Sequence, residues 1–197
     1  MKIKRFISGN LESNGYVLYQ REGGDCYIVD PGYNADQFLT FIRENNLTAR
    51  GVLLMHHHYD HVGAVKKIRQ ATDCPVYLHG SDADMYRDAV DVTLADGDKI
   101  ELEDETITAL HTPGHTEGSV CYYSAKGNLA FTGDTIFNVD LGRTDLSDGD
   151  PAKMRRSIRD VVNRWDNGLT IYPGHGDPCD MKFVRKVNRE FLELIES

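Results

Sequence analysis

The alternation of apolar and polar positions divides the chain into many short strands and a few helices. Apolar residues repeat at every second position, or form short runs, in segments bounded by Gly, Asn, Asp and Pro. Gly23-Gly24 separates two such runs and predicts a hairpin. The predicted strands are Lys2–Ile7, Tyr16–Tyr19, Cys26–Val29, Gly51–Met55, Val76–Leu78, Lys99–Leu102, Thr106–Leu110, Ser119–Tyr123, Leu129–Phe131 and Leu169–Tyr172.

Helical spacing of apolar residues appears in four segments, and residues 81–89 predict a further helical turn. The helices begin at Ala35 and close near Asn45-Asn46, cover Val62–Gln70, run from Asp150-Pro151 through Trp165, and carry Val184, Val187, Phe191 and Ile195. Strands come first in hairpins and later alternate with helices, so we predict an α/β (α+β) chain with mixed sheets covered by helices. No linker-like tract divides the sequence, which predicts a single domain over residues 1–197.

Composition and charge exclude several classes of protein. A length of 197 residues allows one sizeable core, and a net charge of -9 argues against nucleic acid as a partner. No apolar run reaches the length of a membrane span, and no apolar signal segment follows Met1–Phe6. The cysteines form no close pair, and we expect them to be small buried residues in a cytoplasmic protein. They are Cys26, Cys74, Cys121 and Cys179.

The stretch His56–His61 is the strongest chemical signal in the sequence. It follows the predicted buried strand Gly51–Met55, so the histidines begin where a strand leaves the core. In extended backbone, residues i and i+2 point the same way, so His56 and His58 can face one ion. Asp60 and His61 follow the turn and can face a second point nearby. Imidazole nitrogen with carboxylate oxygen is a ligand set that suits zinc, iron or manganese.

Three later turns place a polar side chain after a predicted strand. They carry His115 in His111–His115, Asp134 in Gly133–Thr135 and His175 in Gly174–Gly176. Glycine beside a ligand lets the backbone turn tightly and approach an ion. Each turn alone is common, and their weight comes from occurring together with the His-rich loop.

The remaining histidines and the neighbouring tyrosine receive other predicted roles. His57 and Tyr59 occupy non-ligand positions of the His-rich loop, where packing or support of a ligand is expected. His111 is expected to orient the following loop by a hydrogen bond. His79 follows a strand without a partner motif, which predicts a surface histidine.

The order of these residues resembles the five-motif pattern of the metallo-β-lactamase superfamily along nearly the whole chain. The residues are His56, His58, Asp60, His61, His115, Asp134 and His175. The resemblance implies a four-layer αβ/βα sandwich with two divalent metal ions at one edge, between the sheets. It also implies that His56, His58 and His115 hold the first metal and that Asp60, His61 and His175 hold the second. Asp134 would bridge both.

Two longer segments are similar to glyoxalase II (hydroxyacylglutathione hydrolase) and its short bacterial relatives. They are Leu110–Ser119 and Gly133–Phe137, the latter followed by Leu141–Leu146. This resemblance implies hydrolysis of a small thioester of the S-lactoylglutathione type. The chain ends soon after His175, and the C-terminal region that helps hold glutathione in that family is not expected, so the thiol carrier stays open.

The chemistry expected of such a site follows from two cations held close together. The pair lowers the pKa of a shared water toward about 7, which supplies hydroxide as nucleophile at neutral pH. Asp134 should stay ionised between the cations, and Asp60 and Asp134 are the candidate catalytic carboxylates. Zinc is the first expectation for the metal, with iron and manganese as alternatives. Arg143 suits a substrate carboxylate, although an ion pair with Asp140 or Asp145 explains it equally well.

Alternative functions come from the same resemblance. Persulfide dioxygenases share the fold, most ligands and a similar Gly-Arg-Thr-Asp stretch, but use one iron. A lactonase or β-lactamase is a third possibility, with no secretory signal to support a periplasmic β-lactamase. RNA-processing relatives have basic surfaces, which this acidic chain does not have, and a non-enzymatic binding module is disfavoured because all seven ligand positions are filled. The sequence leaves the oligomeric state open.

Overall fold

Two six-stranded mixed sheets form the centre of the molecule in the computed structural model, which describes residues 1–196. The first sheet contains β1 (Lys2–Ser8), β2 (Ser13–Tyr19), β3 (Asp25–Val29), β4 (Thr48–Leu53), β5 (Val76–His79) and β6 (Val92–Leu94), in that order. The second has the order β12-β11-β10-β9-β8-β7. Its strands are β7 (Lys99–Leu102), β8 (Glu105–His111), β9 (Val120–Ser124), β10 (Leu129–Gly133), β11 (Thr170–Pro173) and β12 (Cys179–Asp180).

Strand direction changes within each sheet. In the first sheet β1, β2 and β3 pair antiparallel, whereas β3, β4, β5 and β6 pair parallel. In the second sheet only the β10–β11 pair is parallel. Parallel neighbours need a crossover, and the longer crossovers here contain helices. The prediction of mixed sheets is therefore confirmed.

Helices cover the outer faces of both sheets. They are α1 (Ala35–Glu44), α2 (Tyr59–Val62), α3 (Val65–Thr72), α4 (Gly80–Ala83), α5 (Pro151–Asp160), α6 (Met181–Val187) and α7 (Arg189–Glu196). A single 3-10 turn, Val162–Arg164, follows α5. The predicted start of α5 is confirmed, because Asp150 accepts hydrogen bonds from the backbone N–H groups of Ala152 and Lys153. Among residues 1–196, none of the helices has the length and apolar character needed to cross a bilayer.

The period-two alternation of each strand sends its side chains into two different cores. In β4 and the residues after it, Leu53 and Met55 point between the sheets, whereas Val52 and Leu54 point toward α1 and α3. All four side chains are essentially buried. On the far side, Met154 of α5 joins a third core against the second sheet. The result is helix, sheet, sheet, helix, which confirms the four-layer sandwich expected from the resemblance.

Several element boundaries differ from the predictions. The helix predicted over Val62–Gln70 is two helices, because the chain leaves α2 after Val62 and re-enters helix at Val65. The helix predicted to reach Trp165 ends at Asp160, and Trp165 packs into the same core after a 3-10 turn. Short edge strands β6 and β12 gave no alternating pattern long enough to detect.

The strand ends that carry the polar turns meet at one edge of the two sheets. The N–H of Val120 donates to the carbonyl of Met55 at 2.9 Å, which joins the end of β4 to the second sheet. The N–H of Gly174 donates to the carbonyl of Gly133 at 2.8 Å, and the carbonyl of Gly174 accepts from Asn14 at 2.7 Å. These bonds hold the loops after four strands within reach of one another.

Candidate metal centre

Six of the seven predicted ligands form two compact donor clusters. One ring nitrogen each from His56, His58 and His115 lie within 4.8 Å of one another. Within that cluster His115 Nε2 and His58 Nδ1 are 2.9 Å apart. A carboxylate oxygen of Asp60 and ring nitrogens of His61 and His175 form the second cluster, also within 4.8 Å. Each cluster has the size and the donor types of a three-residue site for a divalent metal.

Asp134 lies between the two clusters. Its Oδ2 is 3.4 Å from His115 Nε2 in the first cluster and 3.5 Å from His175 Nε2 in the second. Its Oδ1 is 3.4 Å from His61 Nε2. A carboxylate in this position can reach an ion in either cluster, which is the arrangement that a bridging ligand requires.

Four of the histidines have their second ring nitrogen held from outside the clusters. His58 Nε2 donates to Asp148 at 3.1 Å, and His61 Nδ1 lies 3.0 Å from Asp30. His115 Nδ1 donates to the carbonyl of Arg143 at 2.8 Å, and His175 Nδ1 donates to the carbonyl of Leu11 at 3.0 Å. These partners fix the ring orientation and leave the inner nitrogen free to bind a cation.

Unpartnered buried atoms show that the site fits a metal. His56 is 1% exposed, and neither of its ring nitrogens has a hydrogen-bond partner among the described residues. Asp134 Oδ1 is likewise buried without a partner. Buried polar atoms without partners are costly, and coordination by these lone pairs removes that cost. Burial, together with the neighbouring histidines, lowers the pKa of His56 well below its usual value, so the ring is neutral and its lone pair is available.

Carboxylates dominate the electrostatics of the second cluster. Burial opposes charge on His61, but Asp134, Asp30 and Asp60 raise its pKa well above the usual value. Burial likewise opposes charge on His175, whereas hydrogen bonds to Asp134 and Asp60 raise its pKa to about 9. The same contacts hold the pKa values of Asp60 and Asp134 below the usual range despite their burial. This cluster therefore carries excess negative charge when its histidines are neutral, which favours a cation.

Backbone geometry beside the clusters depends on two glycines. A Cβ on Gly174 would lie 2.1 Å from Asp134 Oδ1 and 2.9 Å from His61 Cε1, so a side chain there would displace both groups. Gly133 has a φ of 48°, in the left-handed region that favours glycine. The sequence prediction that glycines allow the backbone close to the ligands agrees with both positions.

Comparison with known proteins identifies the family. The family model described as the metallo-beta-lactamase superfamily matches residues 9–175. The chain belongs to the metallo-β-lactamase superfamily. The match contains all seven predicted ligand positions and supports a metal-dependent hydrolase.

Relatives of this superfamily member include both uncharacterised and named proteins. An uncharacterized protein of Mycobacterium leprae is 38% identical over 98% of this chain and 99% of its own length. A probable metallo-hydrolase of Bacillus subtilis is 32% identical over 92% of this chain and 93% of its own. A hydroxyacylglutathione hydrolase of Hahella chejuensis is 39% identical over 89% of this chain, but this chain spans only 66% of that protein.

Solved structures share the fold of this superfamily member. BLEG-1, a B3 metallo-β-lactamase, superposes with a TM-score of 0.90 at 30% identity, covering 95% of this chain and 98% of its own. A protein solved in a di-iron-bound form superposes with a TM-score of 0.84 at 28% identity, covering 94% and 98%. ETHE1 from Myxococcus xanthus, at 24% identity and a TM-score of 0.87 over 100% of this chain and 89% of its own, shows the fold alone.

Three buried or half-buried carboxylates around the metallo-β-lactamase site were not predicted from the sequence. Asp30 contacts His61 and accepts from the N–H of Met55 at 2.8 Å, although the sequence indicated only a strand-ending turn. Asp82 and Asp148 contact His57 from two sides. Asp82 and Asp148 come from segments without a recognisable motif, and only the fold brings them to the histidines.

Predictions for the other histidines had mixed outcomes. His111 Nε2 donates to the carbonyl of Glu117 at 2.8 Å, which confirms the hydrogen bond to the following loop. The prediction that His79 is a surface histidine is wrong, because it is 8% exposed. Its ring stacks on His111 with centroids 4.1 Å apart, and Nδ1 accepts from the N–H of Ser81. The stacking on His111, which belongs to the second sheet, was not visible in the sequence.

Arg143 lies at the site and also forms an ion pair. Its Nε and Nη2 donate to the two carboxylate oxygens of Asp145 at 2.7 and 2.9 Å, and both side chains are mostly exposed. Of the two ion-pair partners considered from the sequence, the structure selects Asp145 and not Asp140. Arg143 also lines a cleft of about 710 Å³ at the donor clusters, together with Leu11, Tyr59, Phe137, Leu141 and Leu146.

Proposed function

We propose that this protein is a dinuclear metal-dependent hydrolase of a small thioester, similar to glyoxalase II. The observation that carries the proposal is the pair of three-residue donor clusters with Asp134 between them. His56, His58 and His115 would hold one ion, Asp60, His61 and His175 the other, and Asp134 both. The hydroxyacylglutathione hydrolase among the relatives supports a thioester as the substrate class.

The bound ions would supply a hydroxide near neutral pH and polarise the carbonyl of the ester. The protein's own carboxylates complete the site. Asp60 accepts a hydrogen bond from Ser13 Oγ at 2.8 Å, which fixes the orientation of its carboxylate. Because their pKa values are lowered, Asp60 and Asp134 stay ionised at neutral pH and can accept hydrogen bonds from a nucleophilic water.

The cleft at the clusters suits a short acyl group. Leu11, Phe137, Leu141 and Leu146 give it apolar walls, and Leu11 and Leu146 are exposed at 51% and 39%. Apolar walls exclude water from the reacting carbonyl and strengthen electrostatic interactions there. Arg143 lies on the same cleft, and we propose that it exchanges Asp145 for a carboxylate of the substrate.

We propose that both metal ions are zinc, with iron or manganese as alternatives that the same donors accept. We place the protein in the cytoplasm, which its four free cysteines support. A small molecule is the proposed partner, and neither nucleic acid nor a membrane enters the proposal.

Release of free thiol from S-lactoylglutathione, measured together with elemental analysis of protein purified from its own host, tests this function. We expect two metal ions per chain and thiol release that stops when a chelator removes them. A single iron per chain, with oxygen uptake on glutathione persulfide and no thiol release, would assign the dioxygenase activity instead.

β-Lactam hydrolysis is the second candidate, and the similarity to BLEG-1 over nearly the whole of both chains favours it. The same donor clusters and the same cleft would serve a cyclic amide in place of a thioester. A chromogenic cephalosporin assay decides between the two, because a thioester hydrolase should turn it over far more slowly than S-lactoylglutathione.

A further inference from the structure

A second cleft opens beside the metal centre and shares a wall with it. It measures about 490 Å³ and is lined by residues of the His-rich loop, α2, α3 and the segment after α4. His58 and Tyr59 line both this cleft and the cleft at the donor clusters. A molecule whose reacting carbonyl lies at the clusters can therefore extend past Tyr59 into the second cleft.

Two cations without carboxylate partners line this second cleft. Lys66 and Arg87 are exposed, and across residues 1–196 neither forms an ion pair or a side-chain hydrogen bond. Asp88 is the one acidic residue of the lining, so the charged groups there sum to +1 in a chain with a net charge of -9. By contrast, Arg143 at the first cleft already donates two hydrogen bonds to Asp145. The second cleft therefore offers positive charge without a carboxylate partner in a cleft that shares His58 and Tyr59 with the metal centre.

Exposed apolar side chains line the same cleft. Tyr59 is 66% exposed and Met85 is 56% exposed, which are the two highest values among the large exposed hydrophobic side chains. Tyr86 contributes a further aromatic wall. An apolar surface between the metal centre and two cations suits a ligand with an uncharged stem and an anionic end.

We propose that this cleft binds the anionic end of the thiol carrier of the substrate, with Lys66 and Arg87 as the recognising cations. The inference rests on the proposed thioester hydrolase function and names the side of the site that takes the leaving thiol. The thiol carrier is the longer part of such a substrate, because a peptide or pantetheine arm extends much further from the thioester than a lactoyl group does. Carboxylates of glutathione and phosphates of coenzyme A share the required anionic chemistry.

The kinetic test compares two metal-loaded proteins. One is the double variant, which carries both Lys66→Gln and Arg87→Gln, and the other is the unchanged protein. Substrates are the lactoyl thioesters of glutathione, coenzyme A and uncharged N-acetylcysteamine. Exposed charge pairs are weak, so we expect KM to rise about fivefold to tenfold for the preferred charged ester, with kcat unchanged. The charged ester whose KM rises more identifies the natural anion, which is a carboxylate for the glutathione ester and a phosphate for the coenzyme A ester. Added salt should raise KM in the unchanged protein and have little effect in the variant.

Lys182→Gln is the matched control, because Lys182 is an exposed cation on α6 and lines neither cleft. Its KM values should equal those of the unchanged protein. An unchanged KM for both charged esters in the double variant would overturn the proposal. An equal rise for the N-acetylcysteamine ester would overturn it too, because the cations would then not recognise charge.

Binding of S-methylglutathione, a thioether that cannot be hydrolysed, separates this proposal from the hydrolase function. If the unchanged protein hydrolyses no thioester, the proposed function fails, and calorimetry with S-methylglutathione and S-methyl-coenzyme A still tests the cleft. Binding that the double variant weakens about fivefold or more supports the cleft as an anion site. Absence of binding of both S-methylglutathione and S-methyl-coenzyme A to the unchanged protein, or equal binding by the variant, rejects it.

Discussion

His57 Nδ1 lies 2.9 Å from Asp82 Oδ2, so the histidine that coordinates nothing in the proposed site is anchored to a buried carboxylate. The same Asp82 accepts hydrogen bonds from Thr116 Oγ1 at 2.8 Å and from the N–H of Gly118. One carboxylate thereby joins the His-rich loop to the loop that carries His115. We therefore expect the distance between His58 and His115 to depend on this connection.

Asp148 completes the arrangement around His57. Its Oδ2 is 3.2 Å from His57 Nε2 and 3.1 Å from His58 Nε2. His57 therefore holds Asp82 with one ring nitrogen and Asp148 with the other, and Asp148 in turn orients His58. The prediction that His57 supports a ligand is consistent with these contacts.

Replacing Asp82 with asparagine should weaken metal binding without removing a ligand. An amide nitrogen would face the N–H of Gly118 or the donors of His57 and Thr116, so one loop must move. Loss of a group that hydrogen-bonds a ligand directly typically lowers metal affinity about 10- to 100-fold, and because Asp82 acts through His57 and Thr116 we expect a loss near the lower end, about tenfold. Competition with a chelator measures this affinity, and circular dichroism checks the fold.

Asp84→Asn provides the comparison for Asp82→Asn. Asp84 caps the same short helix but is exposed. The metal affinity of the Asp84→Asn variant should match that of the unchanged protein. Equal affinities for both variants would show that the connection through Asp82 does not position the ligands.

Asp134→Asn tests whether this residue contacts both ions. The change keeps the size of the side chain but removes the charge that lies 3.4 Å from His115 and from His61. Metal content and kcat should fall together, and kcat should fall by more than the factor of about 100 that is the upper end for losing a group that supports a ligand. Elemental analysis and thiol release are measured on the same preparation. Full occupancy by two ions with a normal kcat would exclude a bridging role.

Arg143→Ala should leave the metal content intact, because Arg143 offers only its backbone carbonyl to His115. If its side chain binds a substrate carboxylate equally in ground and transition states, KM rises roughly tenfold for a carboxylate-bearing thioester while kcat is kept. Asp145→Asn frees the guanidinium and should lower KM or leave it unchanged. An unaltered KM in both variants, with equal losses of thermal stability, would make the pair purely structural.

The histidines of the site were predictable because chain-local spacing determines them. His56 and His58 share a direction in extended backbone. The polar turns after β8, β10 and β11 could be recognised because each contains glycine and directly follows a predicted strand. Asp82 and Asp148 were not predictable, because each is distant in sequence from His57. The burial of His79 was missed for the same reason, since its cover comes from His111 on the other sheet.

Fold class was likewise easier to predict than element boundaries. Short apolar runs in β2 and at the end of β4 indicated buried strands, and apolar residues at helical spacing indicated α1. The closing helix was expected to be continuous, but Asn188 divides it into α6 and α7. Side-chain hydrogen bonds to distant backbone outweighed the local helical preference there, and periodicity does not report such bonds.

The buried thiols should remain protonated under mildly alkaline conditions. Burial raises the pKa of Cys26 to about 12 and that of Cys121 to about 11, from an ordinary value of 9.0. Above about pH 9 the unfolded chain loses these protons while the native chain keeps them, so the free energy of unfolding should fall as the pH rises. Iodoacetamide at pH 8.5 should label neither thiol until denaturant is added. Rapid labelling of the native protein would contradict this.

Asn188 connects α6 and α7 to the wall of the cleft at the donor clusters. Its Nδ2 donates to the carbonyls of Asp140 at 2.9 Å and Phe137 at 3.2 Å, while its Oδ1 accepts from the N–H of Phe191 at 2.9 Å. The side chain is fully buried. Phe137 lines the cleft, and its ring centroid is 5.8 Å from that of His175. We therefore expect the position of this wall to depend on Asn188.

Asn188→Ala should destabilise the fold and loosen that wall. Losing three hydrogen bonds leaves at least one buried group unsatisfied, which costs about 2–3 kcal/mol and lowers Tm by roughly 5–10 °C in a chain of this size. KM should rise by a larger factor than the metal content falls, because the loop at Phe137 carries no proposed ligand. Asn163→Ala, at an exposed asparagine, should change neither Tm nor KM. A Tm for Asn188→Ala within about 1 °C of the unchanged protein would show that water replaces these bonds at no cost and that the helix break at Asn188 has another cause.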